Sequence, residues 1–475
     1  MHLLPSSSVS CRIYMSKAFL YIYLHYTTIF TSIHSLYLLG SFVQRIFCCC
    51  FVFIHFNSMA ASLNHSSMDV DKLTNQIFSI LENKFLFGYQ HEAKHPYSVV
   101  PQVATGKVRI LSIDAGGSTD GILAAKALVH LEAFLKRKSG DPNAKIADYF
   151  DVVAGSDSGG VLGSLLFTRG KDGSPLLTSE ESLRFMVENV RKSTPGGVYR
   201  RFFRSEKSDK FLFHKVFGDL SLKDTLKAVL IPCYDLTTGA PFLFSRADAF
   251  EIDGCNFSMS AVCRATVAGH VVEVMSTDGR TKMAAVGGGV GMSNPTAAAI
   301  THVLNNKQEF PMCKGVEDLL VVSLGNGECR SECTISSPSY MAAYVKIAGD
   351  GAADMVDQAV SMAFSRSKST SCSNYIRIQG NGTAFNTEKN KKNRRNMELM
   401  ADQILGQRNV ESVLFKGKRS VEHTNLERME MLAGELIKEQ ERRKNSSLPT
   451  VVLKQSSSSP RTSSATTLST LSSHI

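Results

Sequence analysis

None of the 11 cysteines forms a C-x-x-C pair, no internal repeat recurs along the 475 residues, and no acidic residue occurs in the first 58 positions. The first absence argues against zinc ribbons and dithiol redox motifs, and so few cysteines in so long a chain do not make a disulfide scaffold. Four of them (Cys11, Cys48, Cys49 and Cys50) crowd the N-terminus and the other seven are scattered, so free thiols in a reducing compartment are the simpler reading. The lack of repeats excludes solenoids and propellers. Hydrophobic content of 43% and charged content of 20% exclude collagen, coiled coil and wholesale disorder.

Charge is unevenly spread over the net +10. Residues 1–58 carry Arg12, Lys17 and Arg45 against no acid. Residues 365–475 hold 19 Lys/Arg against 10 Asp/Glu, which leaves the middle of the chain near neutral. A basic C-terminal part suits an anionic membrane surface or a nucleic acid. No aromatic-basic nucleic-acid module accompanies it, so the membrane surface is the expected partner and nucleic acid is not.

The stretch Leu36–Phe56 has about the ~20-residue length that spans a bilayer, with Gln44 and Arg45 near its middle. Three readings stand for residues 1–58: a membrane anchor, a signal peptide without a clean cleavage site, or upstream sequence joined to a protein that starts at Met59 or Met68. Residues 59–107 read as an N-terminal helix and loop. Within them His91-Glu-Ala-Lys-His95 matches H-E-x-x-H, which on a helix binds zinc. Pro96 disfavours a helix there and no third ligand is spaced to help, so neither metal nor cofactor is expected.

From Val108 strands and helices alternate. VRILSID (108–114) has the apolar character of a buried strand. Asp120 then stands as an expected N-cap before a helix with Ala124, Ala127, Leu128, Leu131 and Leu135 on one face, ending in Lys136–Lys138 and Gly140. YFDVVAG (149–155) reads as a second strand, SDSGG as a tight turn, and VLGSLLF (161–167) as a buried helix. Thr178–Glu181 opens a helix with a capping box. Strands follow at 227–235 and 318–325, with a helix at 296–304. This alternation predicts an α/β fold with a mostly parallel sheet covered on both faces. The stretch 365–420 is expected as a polar loop or insertion, 424–444 as an amphipathic helix packed on the domain, and the Ser-rich 445–475 as a disordered tail.

Two turns carry chemistry. Asp114-Ala-Gly-Gly-Ser-Thr-Asp-Gly121 places glycines between strand and helix, where backbone N–H groups bind an anion such as the oxyanion of acyl transfer, or simply close a tight turn. Gly155-Ser156-Asp157-Ser158-Gly159 occupies the strand–turn–helix position of a G-x-S-x-G nucleophile elbow, with aspartate at its apex. Helix capping is the bland alternative for Asp157 and Ser158.

Taken in order, ILSIDAGG, DYFDVVAGSDSGG, VCRAT, VGGGVGMSNP and SLGNG resemble the patatin-like lipid acyl hydrolases, specifically the plant branch with a non-standard active site. The resemblance covers roughly 108–330. It implies a three-layer α/β/α sandwich over 108–330, with 331–444 as a C-terminal helical extension. It also implies a Ser–Asp dyad, for which this chain supplies Asp157 at the serine position and Gly287 at the aspartate position. Ala115, Gly116 and Gly117 correspond to the oxyanion hole, and Gly155 and Gly159 flank the elbow. Asp157 itself, Ser156, Ser158 or a water held near Gly116 and Gly117 are the available substitutes for the missing nucleophile. Cys263–Thr266 matches a motif near the family's site, with Arg264 open as a positioning or a structural residue.

Two functions follow from the resemblance. One is hydrolysis of phospholipid or galactolipid esters on a substituted site, in a cytoplasmic protein peripherally attached to membranes through Lys389, Lys391, Lys392, Arg394 and Arg395. The other is a catalytically inactive relative that binds lipid or a partner on the same scaffold.

Overall fold

Six consecutive apolar or buried positions, Val108–Ile113, form the central strand β1. Such a run suits a strand covered on both faces. In the computed structural model of the chain, residues 106–115, 119–189, 206–327, 340–365, 374–380, 394–413, 417–446 and 448–454 are described. Gly116, Gly117, the His91–His95 motif and Lys389–Lys392 lie outside them, as do the side chains of Arg394 and Arg395.

Strand β1 pairs in parallel with β2 (Val152–Gly155) on one side and with β7 (Leu319–Leu324) on the other. Between β2 and β7 come β3 (Ala228–Asp235), β4 (Ala240–Ser245), β5 (Val272–Met275) and β6 (Lys282–Gly287). Strand β8 (Tyr375–Ile378) follows and pairs with β7, so the sheet runs β5-β6-β3-β2-β1-β7-β8 with β4 beside β3. A two-stranded ribbon, β9 (Arg408–Val413) with β10 (Gly417–Thr424), stands apart from it.

Nine helices of eight residues or more occur among the described residues: α1 (Ile122–Ser139), α2 (Ser158–Phe167), α3 (Ser179–Asn189), α4 (Glu206–Phe217), α5 (Met259–Thr266), α6 (Thr296–Asn305), α7 (Tyr340–Ser365), α8 (Arg394–Leu405) and α9 (Asn425–Lys444). The two-residue period of β1 sorts them into layers. Leu111 and Ile113 face a core with Leu128 and Leu131 of α1, Val161 and Leu165 of α2, Ile404 of α8 and Leu432 of α9. Val108 and Ile110 face the opposite core, with Ala299 and Val303 of α6 and Val360 and Phe364 of α7. The fold is a three-layer α/β/α sandwich with a mostly parallel sheet. Both cores draw on residues beyond 330.

Several expectations change in detail. Asp120 is not the N-cap of α1; Gly121 is, at φ 87°, and Asp120 itself takes φ 49°. The capping group is the Thr119 hydroxyl, which accepts the Leu123 N–H at 3.2 Å. The 365–420 stretch holds β8, α8, β9 and the start of β10 rather than a plain loop. The capping boxes of Thr178 with Glu181 and of Thr424 with Glu427 form as their sequences predict. Among the described residues no helix is long and apolar enough to cross a membrane. The described cysteines, Cys233, Cys255, Cys263 and Cys313, are free thiols.

Candidate active site

Strand β3 has two edges and three neighbours. Leu230 pairs with Ala154 of β2 and Ser245 of β4, whereas Cys233 pairs with Gly287 of β6 and Phe242 of β4. Strand β4 therefore holds one edge, and β2 and β6 share the other. Strand β2 runs parallel to β3 and β6 antiparallel, so their C-terminal ends point toward each other along that edge. The turn after Gly155 and the turn after Gly287 meet in the gap. Topology alone brings the two dyad positions of the family together.

The elbow is built on close backbone approach. A Cβ on Gly155 would run into the carbonyl of Gly159, and one on Gly159 would lie 2.5 Å from the Ile113 carbonyl oxygen. Both glycines let α2 start directly against β1 and β2. The apex residue, Asp157, adopts φ 51°, ψ −122°, a conformation that side chains other than glycine rarely take and that costs about 1–3 kcal/mol. Its N–H donates to Thr266 Oγ1 at 2.9 Å. Asp157 stands at the N-cap of α2 as expected, but without the usual side-chain capping bond; the helix amide its carboxylate meets is that of Ser158.

That carboxylate lies between the first turn and the turn after β6. The space that a Cβ on Gly289 would fill is 3.6 Å from Asp157 Oδ2 and 3.0 Å from the Ala115 Cβ. Burial, reinforced by the charge of Asp120 and opposed by the Ser158 N–H, pushes the Asp157 carboxyl up to about 7. Asp120 and Asp157 are the two described non-glycine residues at positive φ. The Gly121–Ser158 contact joins their turns, with a Cβ on Gly121 falling 3.0 Å from Ser158 Oγ.

The other expected residues fall around this centre. Ser156 and Ser158 are 0% and 1% exposed, and neither hydroxyl has a hydrogen-bond partner among the described residues. Ala115 donates its N–H to the Ser293 carbonyl at 2.8 Å, which commits that amide to the protein. Gly287 is buried, and a Cβ there would lie 3.0 Å from the Ala268 carbonyl oxygen and 3.2 Å from that of Thr266. A Cβ on Gly288 would strike the Pro232 carbonyl. Replacing Gly288 with alanine should therefore destabilise the fold by about 1–3 kcal/mol, read as a lower midpoint in chemical denaturation at unchanged m-value. Arg264 reaches the Glu273 carbonyl of β5 at 3.1 Å, a structural contact on the sheet edge.

Sequence reasoning missed the residues that brace the first turn. Asn326, 2% exposed, donates its side-chain N–H to the Asp114 carbonyl at 2.7 Å. Its own carbonyl accepts the Thr119 hydroxyl at 2.9 Å and the Thr119 N–H at 3.2 Å. One asparagine thus ties together the two ends of the 114–119 turn. Arg377 of β8 reaches Asp114 at 2.6 Å and Ser323 at 2.7 Å across the sheet. Burial raises Asp114 and Arg377 opposes it. The only sequence signal for Asn326 was its place in the LGNG that ends β7; Arg377 carried none.

Comparison with known proteins agrees with this architecture. No family model matches the chain. The chain is 47% identical over 430 residues to patatin-like protein 7 of Arabidopsis thaliana, covering 84% of this chain and 87% of that protein. It is 47% identical over 398 residues to patatin-like protein 3 of Oryza sativa subsp. indica, covering 79% and 92%. Probable inactive patatin-like protein 9 of Arabidopsis thaliana is 39% identical over 415 residues, covering 83% and 98%. A three-layer fold with an elbow turn facing the end of β6, and identity of this extent along nearly the whole of such relatives, place the chain in the plant patatin-like protein family.

Proposed function

We propose that the chain hydrolyses acyl esters of membrane lipids, phospholipid or galactolipid, by using Asp157 as a general base on water. The single observation that carries this reading is the apex conformation. A strained backbone at φ 51° holds a carboxylate beside Gly289, at the sequence position where the family has its serine. Direct attack by Asp157 would yield an anhydride more reactive than the ester consumed. Attack by water avoids that intermediate.

In the proposed step the water oxygen bonds to the ester carbonyl carbon while its proton passes to Asp157. The tetrahedral species collapses with cleavage of the bond to the alcohol oxygen, which takes the proton back. Fatty acid and lyso-lipid leave, and Asp157 is regenerated. A carboxyl near 7 suits both halves of this exchange at neutral pH. The turn holding Gly116 and Gly117 is the proposed oxyanion donor. Delivery of the lipid at an anionic membrane surface, through Lys389, Lys391, Lys392, Arg394 and Arg395, belongs to the same proposal.

The second reading is lipid binding without turnover. Gly287 favours it, because no carboxylate stands at the dyad's acidic position. Fatty-acid release from mixed phospholipid–galactolipid vesicles by the full chain and by Asp157→Ala separates the two. Release that disappears in the variant supports the base; equal release by both contradicts it, and vesicle binding with no release selects the binding reading.

A further inference from the structure

Thr266 ends α5 and is 0% exposed, and it lies against the elbow, α2 and the turn after β6. Its Oγ1 accepts the Asp157 N–H at 2.9 Å. The same oxygen lies 3.0 Å from where a Cβ on Gly288 would stand. Its carbonyl oxygen lies 3.2 Å from the corresponding point on Gly287, and its methyl 3.1 Å from that on Gly160 of α2. One side chain therefore packs between the elbow, the first turn of α2 and the turn after β6. The glycines at 160 and 288 are what let it fit.

The consequence lies in the backbone of the apex. A residue held at φ 51°, ψ −122° stays there only where its surroundings over-determine it. Relaxation to an ordinary conformation would swing the Asp157 N–H and carboxylate together. The hydroxyl of Thr266 is the acceptor that opposes this swing. We propose that Thr266 is the positioning residue of the site: by accepting the Asp157 N–H it fixes the strained apex and aims the carboxylate at the space between Ala115 and Gly289. Its methyl fills space and its hydroxyl sets direction. The proposal rests on the reading of Asp157 as the base, and its test is arranged so that the two fail separately.

The test compares the full chain with Thr266→Val, nearly isosteric but without the acceptor, and Thr266→Ser, which keeps it. The Asp157 carboxyl is titrated by carbon-13 NMR, and fatty-acid release is measured on phospholipid vesicles. Asp120, on the turn leading into α1, is the charged group facing that carboxyl. In Thr266→Val the carboxyl midpoint should fall by at least one pH unit as the side chain swings toward solvent. Its kcat should drop at least ~10-fold, with KM within twofold of the parent. Thr266→Ser should keep the parent midpoint and stay within threefold in kcat. A Thr266→Val protein with the parent's midpoint overturns the proposal, as does a Thr266→Ser protein that behaves like the valine variant. Should the valine variant not fold, exchange of the Asp157 amide in the parent decides: strong protection supports the bond, and rapid exchange contradicts it. A parent that releases no fatty acid but shows the midpoint shift on Thr266→Val sinks the hydrolase reading and leaves the positioning role standing.

Discussion

An Asp157→Asn protein should release fatty acid ~10²–10⁴-fold more slowly than the parent, the range that general-base catalysis supplies, and should be the more stable protein at neutral pH. Both effects have one cause. The folded carboxyl titrates at about 7 against 3.8 in the unfolded chain, so between those values the folded state holds a proton that the unfolded state has lost. Stability therefore falls as pH rises from about 4 to about 7, and the whole penalty is present above 7. The size follows from the shift, on the order of 2–4 kcal/mol. Asparagine has nearly the same shape and carries no charge, so it removes the base and the penalty together. Denaturation midpoints should coincide at pH 4 and separate by pH 8, with the variant ahead. Such opposition of activity and stability is common where a site stores strain. An Asp157→Ser protein should gain no fast hydrolysis, because Gly287 leaves the new hydroxyl without its acidic partner; a large gain in that assay would show the dyad to be dispensable.

The second large effect is away from the elbow. Asp151, just before β2, accepts from Arg443 of α9 at 2.6 and 2.8 Å and from the Arg109 N–H of β1 at 2.8 Å. Burial alone would raise this carboxyl, but Arg443 and Arg109 outweigh it and hold it at about 2. Asp151→Ala would leave the buried Arg109 guanidinium without its anion and the half-buried Arg443 with Glu439 alone at 3.5 Å, a loss of about 3–5 kcal/mol. It would also loosen α9, which that pair ties to the base of the sheet. The pH dependence has the opposite sign to that of Asp157. A depressed carboxyl contributes stability above 3.8 that disappears as pH falls toward 2, about 2 kcal/mol in all. The parent should show this acid limb in urea denaturation and Asp151→Ala should lack it.

The parts of the fold legible in the sequence are those with a period. The apolar run 108–114 became β1, the stripe from Ala124 to Leu135 became the buried face of α1, and Met429, Leu432 and Leu436 pack α9 on the core. Position 120 was misread because Asp-Gly serves equally as a helix cap and as a pair of left-handed residues, and only the path of the chain back from β7 selects the second. The 365–420 stretch hid β8 and α8 because charge dominates its composition. Yet Met397, Met400, Ala401, Ile404 and Leu405 suffice to bury one side of α8. At the site, the elbow and its aspartate were readable from G-S-D-S-G. The VCRAT and SLGNG motifs marked Thr266 and Asn326 but not their roles, and Arg377 not at all, since each acts through a contact 109 to 263 residues away that spacing cannot reveal.

The pH dependence of fatty-acid release by the full chain, measured from pH 5 to 9 on one vesicle composition beside Asp157→Asn, tests the role of Asp157 most directly. Release should rise with a single midpoint near 7 in the parent and lose that dependence, together with most of its rate, in the variant. A flat parent profile, or the same midpoint in both proteins, would contradict it.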